Sequence, residues 1–338
     1  MSTVGPRPRI PAVDELLAYL RVRFGDAVQL AHAPEKVQGG MDTEVYFISL
    51  RGGRLDDAWS HPLVLRVHRA ADRTDVAHQE AEAQAWCVDR GYPAPRVLLV
   101  GTTAEGFTMP VQVMNRAFGT TMLAAVTARP WRARPEVHRL AALHARLHAL
   151  DPLTWADQTV TFAQDRLGPV QWWATELNDP EISAGLERAL PIARALDAGP
   201  AVVCHGDFHP LNVIVDGEAA TVIDWTDAGL GDPMGDVART ALLLRVAGVA
   251  TTAPALRTAL RATAPALSGI YLRAYRQIAP FDPTRFRLWT TLHLLHGWAQ
   301  VCALHAGLVG SASERTQIPK ALAPWLERRH HRAAAQLP

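Results

Sequence analysis

The chain has 338 residues, 49% hydrophobic and 20% charged, with a net charge of +1 at pH 7. That length supports two lobes with separate cores, and the composition is that of an ordinary globular protein. The small net charge argues against nucleic acid as a partner; no run approaches eighteen uncharged apolar residues, so no membrane association is expected either.

The N-terminus, with Pro6, Arg7, Pro8, Arg9 and Pro11, lacks the apolar centre of a secretion signal, and residues 1–11 are expected to be disordered. Cys87, Cys204 and Cys302 are odd in number and unclustered, which suits reduced thiols in the cytoplasm and offers no zinc pattern. Nothing here specifies an oligomeric state. Charge is unevenly spread: residues 251–338 hold eleven Lys/Arg against three acids, a net of +8. Lys36 and Lys320 are the only lysines.

In chain order, apolar periodicity predicts a helix over 13–24. Residues 36–43 (Lys-Val-Gln-Gly-Gly-Met-Asp-Thr) then lead into a strand over 44–50. Backbone N–H groups in such a glycine turn can cradle phosphate, although Gly-Gly also serves ordinary hairpins. A strand over 63–68 carries Arg66. A helix over 72–90 has acids in its first turn, with Gly91 and Pro93 beyond its end. Its apolar face includes Ala83, Trp86 and Cys87, and Glu80 shares that face. A carboxylate facing a core needs a partner, and Arg66 is the candidate; Glu82 is the rival acid.

Strands are expected over 96–101 and 107–114, followed by a link at 115–119. A helix over 136–150 places Leu140, Leu143, Leu147 and Leu150 on one stripe. His144 and His148 interleave at metal-binding spacing, but no third ligand lies nearby in sequence, so they read as packing histidines. Trp155, Trp172 and Trp173 fall in an acidic stretch, 151–200, and read by default as core aromatics. Helices follow over 236–247 and most of 255–330, with Trp289, Leu292, Leu295 and Trp298 at core spacing; Arg328 to Arg332 reads as a solvated helix end.

Residues 205–225 hold the most information. His205-Gly206-Asp207 is followed by Asn212 five positions after the Asp; the apolar runs Val213-Ile214-Val215 and Thr221-Val222-Ile223 then end in Asp224. An isolated Asp-x-x-x-x-Asn means little, since both are turn residues. Combined with a strand pair and a terminal Asp, it has the layout that phosphoryl transfer requires. One carboxylate orients the attacking hydroxyl and two oxygen ligands hold magnesium on the phosphates.

This stretch, with Asp227-Ala-Gly-Leu-Gly-Asp-Pro-Met-Gly-Asp236-Val-Ala behind it, resembles the signature of the aminoglycoside phosphotransferase and choline kinase superfamily. The resemblance runs from about residue 28 to about 245 and is strongest at 205–238. It implies an α+β, protein-kinase-like bilobal fold. Residues 1–114 would form a nucleotide-binding lobe with a small antiparallel sheet. Residues 115–119 would be the hinge, and 120–338 a mostly helical catalytic and substrate-binding lobe. It implies ATP bound between the lobes under Gly39, Gly40, Asp42 and Thr43. Arg66 stands where protein kinases carry a phosphate-binding Lys, and Glu80 holds it; the backbone of Asn115 and Ala117 would contact adenine. Asp207 would be catalytic, Asn212 and Asp224 would bind Mg2+, and His205 and Asp236 would be structural supports. Trp225-Thr226 replaces the Phe-Gly of protein kinases, and no Ala-Pro-Glu motif is present, both of which speak against a protein substrate.

The implied activity is transfer of the ATP γ-phosphate to a hydroxyl of a small molecule: an aminoglycoside, a macrolide or a metabolite. The basic C-terminal segment disfavours a polycationic acceptor and suits an anionic one such as a hydroxyacyl-CoA. Asn212 weakens the macrolide match, since macrolide kinases usually carry His there. A non-catalytic nucleotide-binding scaffold is the alternative from another class.

Overall fold

The computed structural model describes residues 10–37, 43–155, 163–199, 201–250, 254–310, 315–316 and 318–337. The chain divides into two compact units. The first comprises Met1–Thr120 with Ile214–Thr226, the second Thr121–Val213 with Asp227–Pro338.

The first unit opens with helix α1 (Pro11–Phe24). Proline suits a first helical turn, where its missing N–H costs no bond. The expectation of disorder through residue 11 is therefore corrected at its end: Ile10 is the N-cap and Pro11 is already helical; residues 1–9 lie outside the described ones. Val13, Leu16, Leu20 and Phe24 recur at helical spacing and are buried. They pack on a sheet of five antiparallel strands: β1 (Glu35–Val37), β2 (Thr43–Ile48), β3 (Leu63–His68), β4 (Val97–Gly101) and β5 (Val111–Asn115), in the order β1-β2-β3-β5-β4. Each fully buried Leu of this core contributes roughly 2 kcal/mol.

The strand expected over 107–114 begins only at Val111. Pro110 has no N–H to give a ladder, and Phe107 plugs the core from a turn, which explains its strand-like apolar signal. Between β3 and β4 lies helix α2 (Thr74–Asp89), which buries Ala77, Glu80, Ala81, Ala83, Gln84 and Cys87.

The second unit is mainly helical: α3 (Ala133–His148), α4 (Ala163–Leu177), α5 (Pro180–Asp197), α6 (Pro233–Ala250), α7 (Pro254–Ile278), α8 (Pro283–Ala306) and α9 (Leu322–Ala334). Helix α8 is buried nearly all round and touches α4, α5, α6 and α9, as a helix without a polar face must. Trp289, Leu292, Leu295 and Trp298 all lie in its buried set. Trp155 and Trp173 are buried as well, whereas Trp172 is half exposed. Strand β6 (Val202–Cys204) pairs with β9 (Gly229–Gly231) and feeds the 205–212 loop; a strand pair, β7 (Val213–Asp216) and β8 (Ala219–Val222), follows that loop. The architecture is the expected α+β one, an antiparallel sheet unit followed by a helical unit. Among the described residues no helix is long and apolar enough to cross a membrane.

Candidate active site

In the first unit the site residues gather around Arg66. The register places Val45 and Gln112 opposite Arg66 in the neighbouring strands, so the three side chains share one face of the sheet. Helix α2 lies against that face and supplies Glu80, only 1% exposed, which forms an ion pair with Arg66 through Nη1. The rival acid Glu82 lies on the exposed side of α2. Gln112 Oε1 lies 3.4 Å from Arg66 Nη1, and Gln112 Nε2 donates to the Ala77 carbonyl at 2.8 Å, tying α2 to the sheet. Arg66 Nη2 reaches Asp224 Oδ1 at 3.4 Å. Burial alone would lower the Arg66 pKa, but the charges of Glu80 and Asp224 outweigh it and raise it.

Asp224 adopts a left-handed backbone, φ 65°, a conformation that Asp tolerates better than most residues and that often marks functional positions. Its side chain stays 46% exposed, while the next residue, Trp225, is fully buried edge-on against Tyr92. That buried anchor fixes where the carboxylate emerges. The Thr226 hydroxyl lies 3.0 Å from Asp224 Oδ1 and 3.3 Å from Glu80 Oε2, so its single proton serves both acids.

Thr43, at the head of β2, is buried. Gly39, Gly40 and Asp42 lie outside the described residues. Asn115 ends β5; its N–H donates to the Arg96 carbonyl at 3.0 Å and its Nδ2 reaches the Ala58 carbonyl at 3.4 Å. Ala117 follows in irregular backbone, beside Arg116, whose guanidinium stacks 3.6 Å over Phe47.

In the second unit the 205–212 loop is held from several sides. Gly206 has φ 77°, and a Cβ there would stand 2.3 Å from the Asp227 carbonyl oxygen, so only glycine fits. Asp236, at the start of α6, accepts from the N–H of His205 at 2.7 Å and of Gly206 at 3.1 Å. His205 itself is fully buried, edge-on to Phe208.

The Asp207 carboxylate is 29% exposed and has two close partners: His209 Nε2 at 3.1 Å from Oδ2 and Arg239 Nη2 at 3.2 Å from Oδ1. Burial would raise this carboxyl; the His209 hydrogen bond and the Arg239 charge outweigh it and hold it well below the ordinary range. Asn212 Nδ2 donates to the Asp207 carbonyl at 3.0 Å. With its nitrogen so engaged, Asn212 keeps Oδ1 as its side-chain acceptor; an amide oxygen like this and a carboxylate like that of Asp224 are each hard oxygen donors of the type magnesium takes.

His144 and His148 need a correction. A third group does join them: His144 Nε2 lies 3.0 Å and His148 Nε2 3.3 Å from Asp236 Oδ2. Their Nδ1 atoms meet the hydroxyls of Tyr271 and Tyr275 at 2.6 and 2.7 Å. An ionised Asp236 only accepts, which places the His148 ring proton on Nε2 and lets its Nδ1 accept from Tyr275; the buried Nε2 of His144 stands close to Asp236 without an aligned hydrogen bond among the described residues. The cluster packs the two histidines against Asp236, and they brace the loop support.

Sequence reasoning missed Gln112, Thr226 and Arg239. Arg239 alone left a signal: it follows Asp236 by three positions on one helix, hence on one face.

The model of the phosphotransferase enzyme family, APH, matches residues 34–289. Viomycin phosphotransferase of Streptomyces vinaceus is 31% identical over 196 residues, 53% of this chain and 66% of that protein, just under two thirds of its length. Among solved structures, aminoglycoside phosphotransferase APH(4)-Ia, as a thermostable mutant with AMP-PNP and hygromycin B, gives a TM-score of 0.60 at 19% identity, covering 95% of this chain and 98% of that one. An amicoumacin kinase with AMP-PNP, Ca2+ and Ami gives 0.62 at 13% identity and 96% coverage of both. A choline/ethanolamine kinase family protein of Mesorhizobium loti gives 0.59 at 19% identity, covering 96% of this chain and 95% of that one. At such identities these structures carry the fold, and the family match carries the membership: the chain belongs to the phosphotransferase enzyme family.

Proposed function

We propose that the protein is an ATP- and Mg2+-dependent kinase that phosphorylates a hydroxyl of a small molecule, and that it works in the cytoplasm. The observation that carries this reading is the 205–212 loop. It fixes one partly exposed carboxylate, Asp207, and pins Asn212 by its nitrogen so that an oxygen remains for a metal. Asp224 is the second metal ligand in this reading. Bound magnesium would supply charge neutralisation on the transferring phosphate. Arg66, held by Glu80, contacts the nucleotide phosphates, which an arginine can grip bidentately. Gly39, Gly40, Asp42 and Thr43 cover them, and the backbone of Asn115 and Ala117 meets adenine. Asp207 orients the acceptor hydroxyl, while Asp236 and His205 keep its loop in place. Catalysis is then chiefly positioning and charge stabilisation. The division into lobes at 1–114, hinge 115–119 and 120–338 belongs to the same reading.

The names of the relatives, which mention viomycin, hygromycin B and amicoumacin, support an antibiotic as acceptor. The +8 charge of residues 251–338 favours an anionic metabolite. Part of that charge has structural employment: Arg285 Nε donates to Asp232 at 2.8 Å, and Arg276 and Arg329 stack on Phe281 and Trp325. The charge asymmetry is thus a weaker guide to the acceptor than it looked in the sequence.

The test is ADP release with MgATP across aminoglycosides, macrolides, peptide antibiotics, hydroxyacyl-CoAs, choline and sugars, with Asp207→Asn in parallel. A hit abolished by that change is expected. ATP binding without turnover on any acceptor would favour a scaffold.

A further inference from the structure

One turn of α6 holds four consecutive residues of the 205–208 segment. Asp236 takes the N–H groups of His205 and Gly206, Arg239 reaches Asp207 Oδ1 at 3.2 Å, and the Thr240 hydroxyl donates to the Phe208 carbonyl at 2.8 Å. The spacing i, i+3, i+4 puts all three side chains on one helical face. Asp236 and Thr240 act on backbone, as any loop brace does. Arg239 acts on the one side chain that the proposed reaction uses.

The way Arg239 is placed goes beyond packing. Its Nε is buried and has no hydrogen-bond partner among the described residues, and its side chain is only 20% exposed. A guanidinium kept partly unsatisfied in such surroundings is costly. Arg239 also helps line a small cavity beside Gly206, Asp227, Trp289 and His293. The two oxygens of Asp207 are treated differently. Oδ1 is gripped by a charged group rooted in a buried helix. Oδ2 is touched by His209 at 3.1 Å and by Asn212 Nδ2 at 3.4 Å, both from the loop itself. An aspartate carboxylate otherwise turns easily about its last torsion, because that rotation is broad and nearly two-fold.

We propose that Arg239 is a positioning residue for phosphoryl transfer: it fixes the plane of the Asp207 carboxylate through Oδ1, so that Oδ2 is the oxygen that receives the acceptor hydroxyl. This rests on the reading of Asp207 as the catalytic carboxylate. The acceptor hydroxyl replaces His209 at Oδ2, and Arg239 stays in place throughout.

The experiment uses the full chain with MgATP and the acceptor identified by the panel, and compares Asp207→Asn, Arg239→Met, Arg239→Lys and the Asp207→Asn/Arg239→Met pair. Arg239→Met should lower kcat by roughly 10- to 100-fold, the scale of a misplaced catalytic group, with the KM for ATP changed by less than about twofold. Arg239→Lys, which keeps the cation but not the fork, should recover part of the loss. In the Asp207→Asn background Arg239→Met should cost nothing further, because it acts through that carboxylate. Losses that multiply in the pair, or a KM for ATP that rises as kcat falls, would mean a merely structural arginine. If Arg239→Met does not fold, Arg239→Lys decides alone: an unchanged kcat overturns the proposal, and a several-fold fall at constant KM for ATP supports it. An inactive Asp207→Asn beside a fully active Arg239→Met sinks this inference only. An active Asp207→Asn sinks the catalytic reading and this inference with it.

Discussion

Asp236→Asn is the most demanding perturbation of the second unit, because one 4%-exposed carboxylate serves four groups. It accepts from two backbone N–H groups at 2.7 and 3.1 Å and stands 3.0 and 3.3 Å from two imidazole Nε2 atoms. Burial pushes its pKa up, yet His144 and His148 hold it well below the usual carboxylate range. Asparagine has the same shape but only one accepting oxygen, and its NH2 would face donors with a donor. Two charge-assisted bonds are thereby lost at about 1.5–3 kcal/mol each. The expected cost is therefore about 4 kcal/mol, within the range for removing one partner of a buried pair. For a unit of this size that corresponds to a fall of roughly 8–16 °C in Tm. Calorimetry would resolve the transition, and ADP release would report whether the 205–208 backbone keeps its shape. A variant within about 1 kcal/mol of the wild type with full turnover would refute the idea that Asp236 organises the loop.

Glu80→Gln leaves Arg66 buried beside Gln112 and Asp224; a loss of about 3 kcal/mol is expected, with weaker nucleotide binding by titration calorimetry, and unchanged affinity would detach the ion pair from the nucleotide site. Gly206→Ala should be worse than an ordinary loop substitution, since φ 77° and the 2.3 Å approach to Asp227 both oppose a methyl; a urea midpoint equal to wild type would show that the loop relaxes freely. Stability should fall on acidification. His144 is lowered to about 4, His296 to about 3 and His330 to about 4, each chiefly by burial. Their unfolded values lie near 6.5. Below that pH the unfolded chain takes up protons that the folded chain refuses, so their contribution is complete above pH 6.5 and lost as pH falls toward 4. Three such protons give a slope of at most about 4 kcal/mol per pH unit, reached near pH 5, and His293, which burial also holds well below its ordinary value, acts in the same direction. Urea midpoints at pH 7, 6 and 5 measure it, and a flat profile would mean that these rings are solvated.

The sequence is most readable where contacts follow local periodicity. The phase of α2 turns Glu80 inward with Ala83 and Cys87, and the scarcity of lysine leaves Arg66 as the cation on β3; the structure has that contact. The same logic fails when an apolar residue is buried by a turn: periodicity places Phe107 in a strand that Pro110 cannot join. It fails more deeply for long-range partners. His148 and Asp236 lie 88 residues apart, and no spacing rule links α3 to α6; only helix packing brings the imidazoles to the carboxylate. Arg239 and Thr226 belong to this second kind. Each stands beside a motif residue that the sequence does single out, Asp236 or Asp224, and each reaches a different acid, Asp207 or Glu80. Motif spacing of the kind seen at Asp207 and Asn212 reports which atoms one loop can present by itself. The groups that set the orientation and charge of those atoms come from other elements, and tertiary packing chooses them.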